Sequence, residues 1–268
     1  MTALAKDHKA GLIKLIKAAS YTQATWEVYS DFVEMAAIAI SNGVERVNRE
    51  KREEKYLKLI GKYDKKRQPL FGQMLGELVM AMEKAVITEG GPTDILGPVY
   101  HELELHSKWV GQFFTPVNIC DMMGQLMLND GLVERAIKDK GYITLDEPCT
   151  GSGAMILGFA KALARRFEGK DFNYQTQLFV SARDIDLKCV CMTYIQLSLY
   201  NIPAIVTHGD TLSLKEWGKW YTPAYILNGW GRKLRYKNAV GKVKEITGTT
   251  DVQEPLQLSL FDFEIKED

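Results

Sequence analysis

The stretch TLDEPCTGSGAMILGFAKAL, residues 144–163, decides the fold. It starts at the end of a short β-rich run, passes an acid pair and a turn that contains Gly151 and Gly153, and continues as an apolar helical pattern. A glycine-rich turn between a strand and a helix lets the backbone approach a ligand, and it directs free helix N–H groups at that ligand. The sequence therefore predicts a ligand site at this turn.

The segments around this stretch repeat its pattern. A turn and helix with Pro116 near its start occupy 112–128, a strand ending in acids occupies 176–186, a helix follows at 187–201, and a third strand runs into a Gly-Asp turn at 204–212. Strands that alternate with helices predict an α/β fold with a doubly wound parallel sheet. Ligands bind such sheets at the carboxyl ends of the strands, where all three acid-bearing turns fall.

The first 107 residues read as helical, because residues 24–40 and 70–86 have apolar side chains at three-and-four spacing. Between them, residues 46–68 hold ten Lys or Arg and four Asp or Glu. This run is either a solvated helix face or a surface that contacts phosphates. We predict a helical domain at 1–107, a ligand-binding domain at 108–245 and a tail at 246–268.

The composition limits the partners. The chain has 34 Lys or Arg and 34 Asp or Glu, so any contact with nucleic acid must come from local patches. Its four cysteines form no C-x-x-C pair, which indicates reduced thiols in a cytoplasmic protein and no zinc site. No apolar run approaches the ~20 residues that span a bilayer, so no membrane partner is expected.

The glycine turn fits neither of two common phosphate-binding patterns. A P-loop has Lys and Ser or Thr after its last glycine, where this chain has Ala154 and Met155. A dinucleotide fingerprint would have its third glycine at position 156, two residues before Gly158, and the preceding acids repel pyrophosphate. The acids favour a ligand that is cationic or rich in hydroxyls, and S-adenosylmethionine is such a ligand.

Four motifs, GQFFTP, DEPCTGSGAM, ARDID and HGDTL, occur in the order and spacing seen in N6-adenine DNA methyltransferases. With DILGPVYHELE at 94–104, the chain most resembles the modification subunits of type I restriction-modification systems. The resemblance covers roughly residues 90–215. It implies a Rossmann-like S-adenosylmethionine methyltransferase fold, DNA as a substrate, and a specificity or complementing subunit as a partner.

The resemblance also implies roles for individual residues. The family's FTP turn holds the methionine end of the cofactor, the glycine loop packs against the cofactor, and acids after the second and third strands take the ribose hydroxyls and the adenine amino group. The alternative for each acid is a helix N-cap, which we prefer for Asp186. The implied cofactor-binding residues are Phe114, Thr115, Pro116, Glu147, Pro148, Gly151, Ser152, Gly153, Asp184 and Asp210.

The catalytic turn departs from the family, in which an Asn-Pro-Pro-aromatic turn holds the flipped adenine. This chain has no Asn-Pro-Pro, and Asn228 and Trp230 are its candidate catalytic residues. About forty residues follow, so we expect a shortened sheet. Two hypotheses remain: an adenine-N6 methyltransferase that is weak or depends on a partner, or an inactive DNA- or clamp-binding accessory protein of phage or mobile-element origin.

Two C-terminal segments have alternative interpretations. Residues 215–244 hold eight Lys or Arg and one Glu, which indicates a solvated loop or a DNA-backbone surface with Trp217, Trp220, Tyr221 and Trp230 for stacking. The segment QLSLF resembles the peptide by which bacterial proteins dock on the sliding clamp, with Gln257, Leu258, Leu260 and Phe261 as binding residues. It also alternates like a final strand of the sheet.

Overall fold

The computed structural model describes residues 7–103, 114–128 and 131–235, and the backbone of 257–259. The helices in these ranges are α1 His8–Ala19, α2 Thr25–Asn42, α3 Arg49–Ile60, α4 Gln68–Glu89, α5 Leu96–Glu102, α6 Val117–Leu126, α7 Leu132–Lys140, α8 Ala154–Arg166, α9 Tyr174–Gln177, α10 Leu187–Leu199 and α11 Pro223–Leu227. The strands are β1 Ile143–Glu147, β2 Leu178–Asp184, β3 Ala204–Gly209, β4 Glu216–Tyr221 and β5 Gln257–Ser259.

The strands form one sheet in the order β4-β3-β2-β1-β5. The pairs β1–β2, β2–β3 and β1–β5 are parallel, and β4 is antiparallel to β3. Helix α8 connects β1 to β2 and helix α10 connects β2 to β3, so both connections move across the sheet in the same direction. Because such connections are right-handed, both helices lie on one face of the sheet. The predicted Rossmann-like α/β fold is confirmed.

The two faces of the sheet are covered differently. Ile143, Leu145 and Val180 point into the large hydrophobic core that the helices share. Phe179 lies on the other face because side chains alternate along a strand, and it belongs to a small cluster with Tyr142 and Trp230.

The helices α1–α5 form a layer that packs on α10. Tyr29, which is fully buried in α2, donates a hydrogen bond to the carbonyl of Leu96 at 2.9 Å, and both belong to the large core. The predicted domain boundary near residue 107 lies outside the described residues. None of the described helices is long and apolar enough to cross a membrane.

The antiparallel strand β4 occupies part of the segment that was expected to be a loop. Trp220 is buried against Tyr194 and under the guanidinium of Arg52, 4.1 Å from the ring centroid. Arg52 also donates to the carbonyl of Lys219 at 3.0 Å, and so covers the free edge of β4. Trp220 therefore stabilises the helical layer against the sheet, and its burial removes it from the stacking residues that one of the two interpretations of 215–244 assigned. Trp217 remains 47% exposed.

Candidate functional site

The glycine turn joins β1 to α8 at the carboxyl edge of the sheet. Gly151 and Gly153 have φ of 55° and 90°, which are left-handed conformations that favour glycine. The Thr150 N–H donates to the carbonyl of Arg183 at 2.9 Å, and the Gly153 N–H donates back to the Thr150 carbonyl at 2.8 Å. The turn is thereby tied to the neighbouring strand β2.

Asp184, the last residue of β2, braces this turn. Its Oδ2 accepts the Gly151 N–H at 2.8 Å and its Oδ1 accepts the Asp186 N–H at 2.9 Å. Burial raises the pKa of the Asp184 carboxyl. A carboxylate has about four acceptor positions, so after these bonds Asp184 keeps acceptor capacity for a ligand's hydroxyl.

Glu147, the last residue of β1, is 4% exposed. Its Oε1 accepts the Cys149 N–H at 3.0 Å. Burial, with smaller contributions from the charges of Asp146 and Asp184, raises the pKa of Glu147 to about 7. No Lys or Arg in the described ranges forms an ion pair with it. A carboxyl in this state favours a cationic ligand group, which would offset the cost of ionising it.

A buried hydrogen-bond network supports the turn from below. Asp94 accepts the Ser152 hydroxyl at 2.6 Å, the Gly97 N–H at 2.9 Å and the Gln196 amide at 2.9 Å. The Gln196 amide also donates to the Ser152 carbonyl at 2.8 Å. The Ser152 side chain therefore points into the protein interior. Sequence reasoning missed Asp94 and Gln196 as site residues, although Asp94 begins the DILG segment that carried part of the resemblance.

The FTP turn lies across the glycine turn. A methyl group on Gly151 would be 3.1 Å from Cδ1 of Phe114, so this ring packs directly on the turn. The Phe114 N–H donates to Nε2 of His101 at 3.1 Å, and its ring also contacts Tyr100. Thr115 and Pro116 are exposed.

The FTP turn is held in place by the packing of α6 on α8. A Cβ on Gly124 would lie 2.5 Å from the carbonyl oxygen of Gly158, and a Cβ on Gly158 would lie 2.5 Å from that of Cys120. The two backbones touch because both residues lack a side chain. Pro116 lies at the N-cap of α6, so this contact sets the position of the FTP turn relative to the glycine turn.

Asp210 follows β3 at the same edge. Its carboxylate accepts the Leu212 N–H at 2.9 Å and the Ser213 hydroxyl at 2.7 Å. The hydrogen bond from Ser213 is the main cause of its lowered pKa. The neighbouring Thr211 hydroxyl donates to the carbonyl of Pro148, which links this turn to the glycine turn.

The structure therefore brings together all ten predicted cofactor-binding residues on one edge of the sheet. Carboxyls stand at the carboxyl ends of three neighbouring strands, and the glycine turn lies between them. In the described ranges, no group of three or more His, Cys, Asp or Glu could hold a metal ion. This arrangement suits an organic ligand with positive charge and hydroxyl groups.

The two candidate catalytic residues lie elsewhere, which corrects the sequence prediction. Trp230 is fully buried, with ring centroids 5.0 Å from Tyr142 and 5.6 Å from Phe179. Those two residues lie at the amino ends of β1 and β2, opposite the glycine turn. Asn228 caps α11, and Thr222 before that helix bonds Ala204 at the amino end of β3. The apolar run before Asn228 is this short helix and not a fourth strand, so neither side chain reaches the carboxyl edge.

The tail segment QLSLF is described only in part. The backbone of Gln257–Ser259 forms β5, in which Gln257, Leu258 and Ser259 pair with Thr144, Leu145 and Asp146. This agrees with the strand interpretation for these three residues. Leu260 and Phe261 lie outside the described residues.

The chain is similar to one protein family and to two solved structures. The model of the family described as N-6 DNA Methylase matches residues 92–230. A structure assigned as a class I S-adenosylmethionine-dependent methyltransferase from Listeria monocytogenes is 13% identical, with a TM-score of 0.43, over 76% of this chain and 54% of its own. The methyltransferase subunit of a type I restriction-modification system from Streptococcus thermophilus is 16% identical, with a TM-score of 0.30, over 75% and 43%. The chain thus spans about half the length of these structures. No curated protein matched the sequence.

Proposed function

Because the chain belongs to the N-6 DNA methylase family, we propose that it binds S-adenosylmethionine at the carboxyl edge of its sheet and acts in the methylation of adenine N6 in DNA. The observation that carries the proposal is the Gly151–Gly153 turn, braced by Asp184 and flanked by the buried carboxyl of Glu147, which has no cationic partner in the described ranges. Around it lie the FTP turn and Asp210.

The residues present fit this cofactor. S-adenosylmethionine has an ammonium and a sulfonium, for which Glu147 supplies a buried carboxyl without a cationic partner in the described ranges. Its ribose hydroxyls are donors that suit the acceptor capacity left on Asp184. When bound, the cofactor supplies the methyl group. The chain's own residues position it, with Phe114 packed on the glycine turn as one wall of the site.

Calorimetric titration with S-adenosylmethionine tests the proposal, using Glu147→Gln and Asp146→Asn as a matched pair. Gln keeps an oxygen for the Cys149 N–H and removes only the charge. Affinity should fall by about 1.5–3 kcal/mol, the scale of a hydrogen bond to a charged group. Asp146 alternates to the other face of β1, so its variant should bind like the wild type. No heat at millimolar cofactor, or equal losses in both variants, would contradict the proposal.

We propose that the chain alone transfers methyl groups slowly or not at all. Among the described residues nothing stands in for the family's Asn-Pro-Pro-aromatic turn at the carboxyl edge, since Asn228 and Trp230 lie at the amino edge. Misplacing a reacting group costs orders of magnitude in rate. A specificity or complementing subunit would then supply the missing base-holding groups. Rapid tritium transfer from labelled cofactor into adenine by the purified chain would refute this.

The competing function is a DNA- or clamp-binding accessory protein that has lost catalysis. The proposal that QLSLF docks on a bacterial sliding clamp rests on the sequence match, and the pairing of Gln257–Ser259 in β5 means that docking requires this strand to leave the sheet. Replacing Leu260 and Phe261 together with Ala distinguishes the two roles. Loss of clamp binding with an unchanged melting temperature supports docking, whereas a lower melting temperature without clamp binding supports a structural strand.

A further inference from the structure

Positive charge is concentrated in one segment of this neutral chain. Residues 46–67, which comprise α3 and its flanking turns, hold ten Lys or Arg and four Asp or Glu, although the whole chain has 34 of each. The rest of the chain is therefore acidic on balance. Such separation of charge creates a local positive potential that the net charge conceals.

Most of these cations are free to meet a partner. Four of the ten form ion pairs, namely Arg52 with Glu45, Lys55 with Glu34, Lys62 with Asp31 and Arg67 with Asp64. The other six are exposed and have no ion pair in the described ranges: Arg46, Arg49, Lys51, Lys58, Lys65 and Lys66. We call these six the cation ridge. The four acids of the segment, Glu50, Glu53, Glu54 and Asp64, offset only four of its ten cations and leave a net charge of +6.

Exposed aromatic side chains flank one end of the cation ridge. Tyr21 and Trp26 are 90% and 58% exposed. The loop between them is fixed to the turn after α3, because the Gln23 amide donates to the Lys62 carbonyl at 3.2 Å and Arg67 donates to the Thr22 hydroxyl at 2.7 Å. The bases of a duplex are stacked on one another, so on duplex DNA these rings would contact the sugar-phosphate backbone beside the cations.

The cation ridge is rigidly attached to the sheet that carries the candidate site. Arg52 lies among its residues in α3, and its guanidinium covers Trp220 of β4 and bonds the Lys219 carbonyl. The α3 helix also runs along α2, which packs on α10. A polyanion on the ridge would therefore keep a fixed position relative to the carboxyl edge.

From these observations we infer that the cation ridge, with Tyr21 and Trp26, is a DNA-backbone-binding surface that engages duplex DNA without reading its sequence. This surface is separate from the glycine turn and does not depend on the cofactor being bound. It gives the helical layer a function of its own, which is to hold DNA that the carboxyl edge acts on or that a partner subunit reads.

Fluorescence anisotropy with a labelled 20-base-pair duplex, measured over a series of salt concentrations, tests this inference. The test variant combines Lys58→Gln with Lys65→Gln. The control combines Lys138→Gln with Lys170→Gln, which removes the same charge and likewise takes one lysine from the last turn of a helix and one from an exposed turn. Thermal melting by circular dichroism shows whether each variant is folded. Calorimetric binding of S-adenosylmethionine, measured in parallel, separates this test from that of the proposed function.

The wild type should bind the duplex with a dissociation constant in the micromolar range, and its logarithm should depend linearly on the logarithm of salt concentration. Each lost phosphate contact lowers that slope by about 0.9, so the slope for the test variant should be lower by about 1.8, while the control matches the wild type. If the two lines meet at 1 M salt, this difference makes binding by the test variant about sixtyfold weaker at 0.1 M. Equal slopes for the test variant and the wild type would overturn the inference. So would a wild type that binds no duplex.

Discussion

The close contact between α6 and α8 predicts that Gly158→Ala lowers the melting temperature of the protein. The new methyl group would lie 2.5 Å from the carbonyl oxygen and 2.6 Å from the carbonyl carbon of Cys120, which are backbone atoms that cannot rotate away. Overpacking of this kind costs about 1–3 kcal/mol. The helices must separate, and α6 would carry Phe114 away from the glycine turn. We therefore expect both a lower melting temperature and weaker S-adenosylmethionine binding.

Gly76→Ala is the matched control, because Gly76 is exposed in the middle of α4 and has nothing within 4 Å of the position of a Cβ. Both substitutions gain the same helix propensity, about 0.5–1 kcal/mol, so their difference isolates the contact. At about 2–4 °C per kcal/mol for a chain near this size, Gly158→Ala should melt about 2–12 °C below Gly76→Ala. Equal melting temperatures by circular dichroism would refute the account of the close contact.

Three further predictions concern the buried groups. The pKa of Glu147 is raised from 4.5 to about 7, so between these pH values the folded protein holds a proton that the unfolded chain releases. The free energy of unfolding should therefore fall as pH rises from about 4.5 to 7. Thermal melts of Glu147→Gln should lack this fall, and identical pH profiles for the variant and the wild type would contradict the account. Asp94→Asn turns an acceptor of three donors into a partial donor and should lower the free energy of unfolding by about 1–3 kcal/mol in urea titrations, whereas exposed Asp139→Asn should not. Trp230→Ala should lower the free energy of unfolding by about 3–5 kcal/mol because the ring is fully buried. Asn228→Ala should leave the affinity for S-adenosylmethionine unchanged. Weaker binding of the cofactor by folded Asn228→Ala would show that Asn228 lies nearer the site than described.

The sequence predicted the carboxyl edge well because its determinants are local. A strand, a glycine turn and a helix follow one another between Ile143 and Arg166, and each is encoded by neighbouring residues. The position of Asp184 followed from the rule that parallel strands end at one edge. The hydrogen bond that Asp184 accepts from the Gly151 N–H could not be predicted from that rule, because this bond depends on the register between β1 and β2.

The failed predictions depend on contacts that are distant in sequence. Trp220 looked like an exposed stacking residue because its partner, Arg52, lies in another layer of the fold. Trp230 looked like a base-stacking residue because its spacing from Asp210 suited the family. A short helix replaces the expected strand, and the Trp230 ring packs on the face of the sheet that is opposite the large core. The network around Asp94 joins three segments and has no pattern that a single sequence could reveal.

The pairing of β5 with β1 has a consequence for the order of folding. Strands β1, β2 and β3 follow one another along the chain, whereas Thr144 must wait for Gln257 to be synthesised before the other side of β1 is covered. Closing so long a loop is entropically costly and is expected late. Until then β1 presents unpaired backbone groups next to the glycine turn, and such an edge attracts strands from other chains. During synthesis, the strand that leads into the candidate site is therefore an edge at which the chain can aggregate.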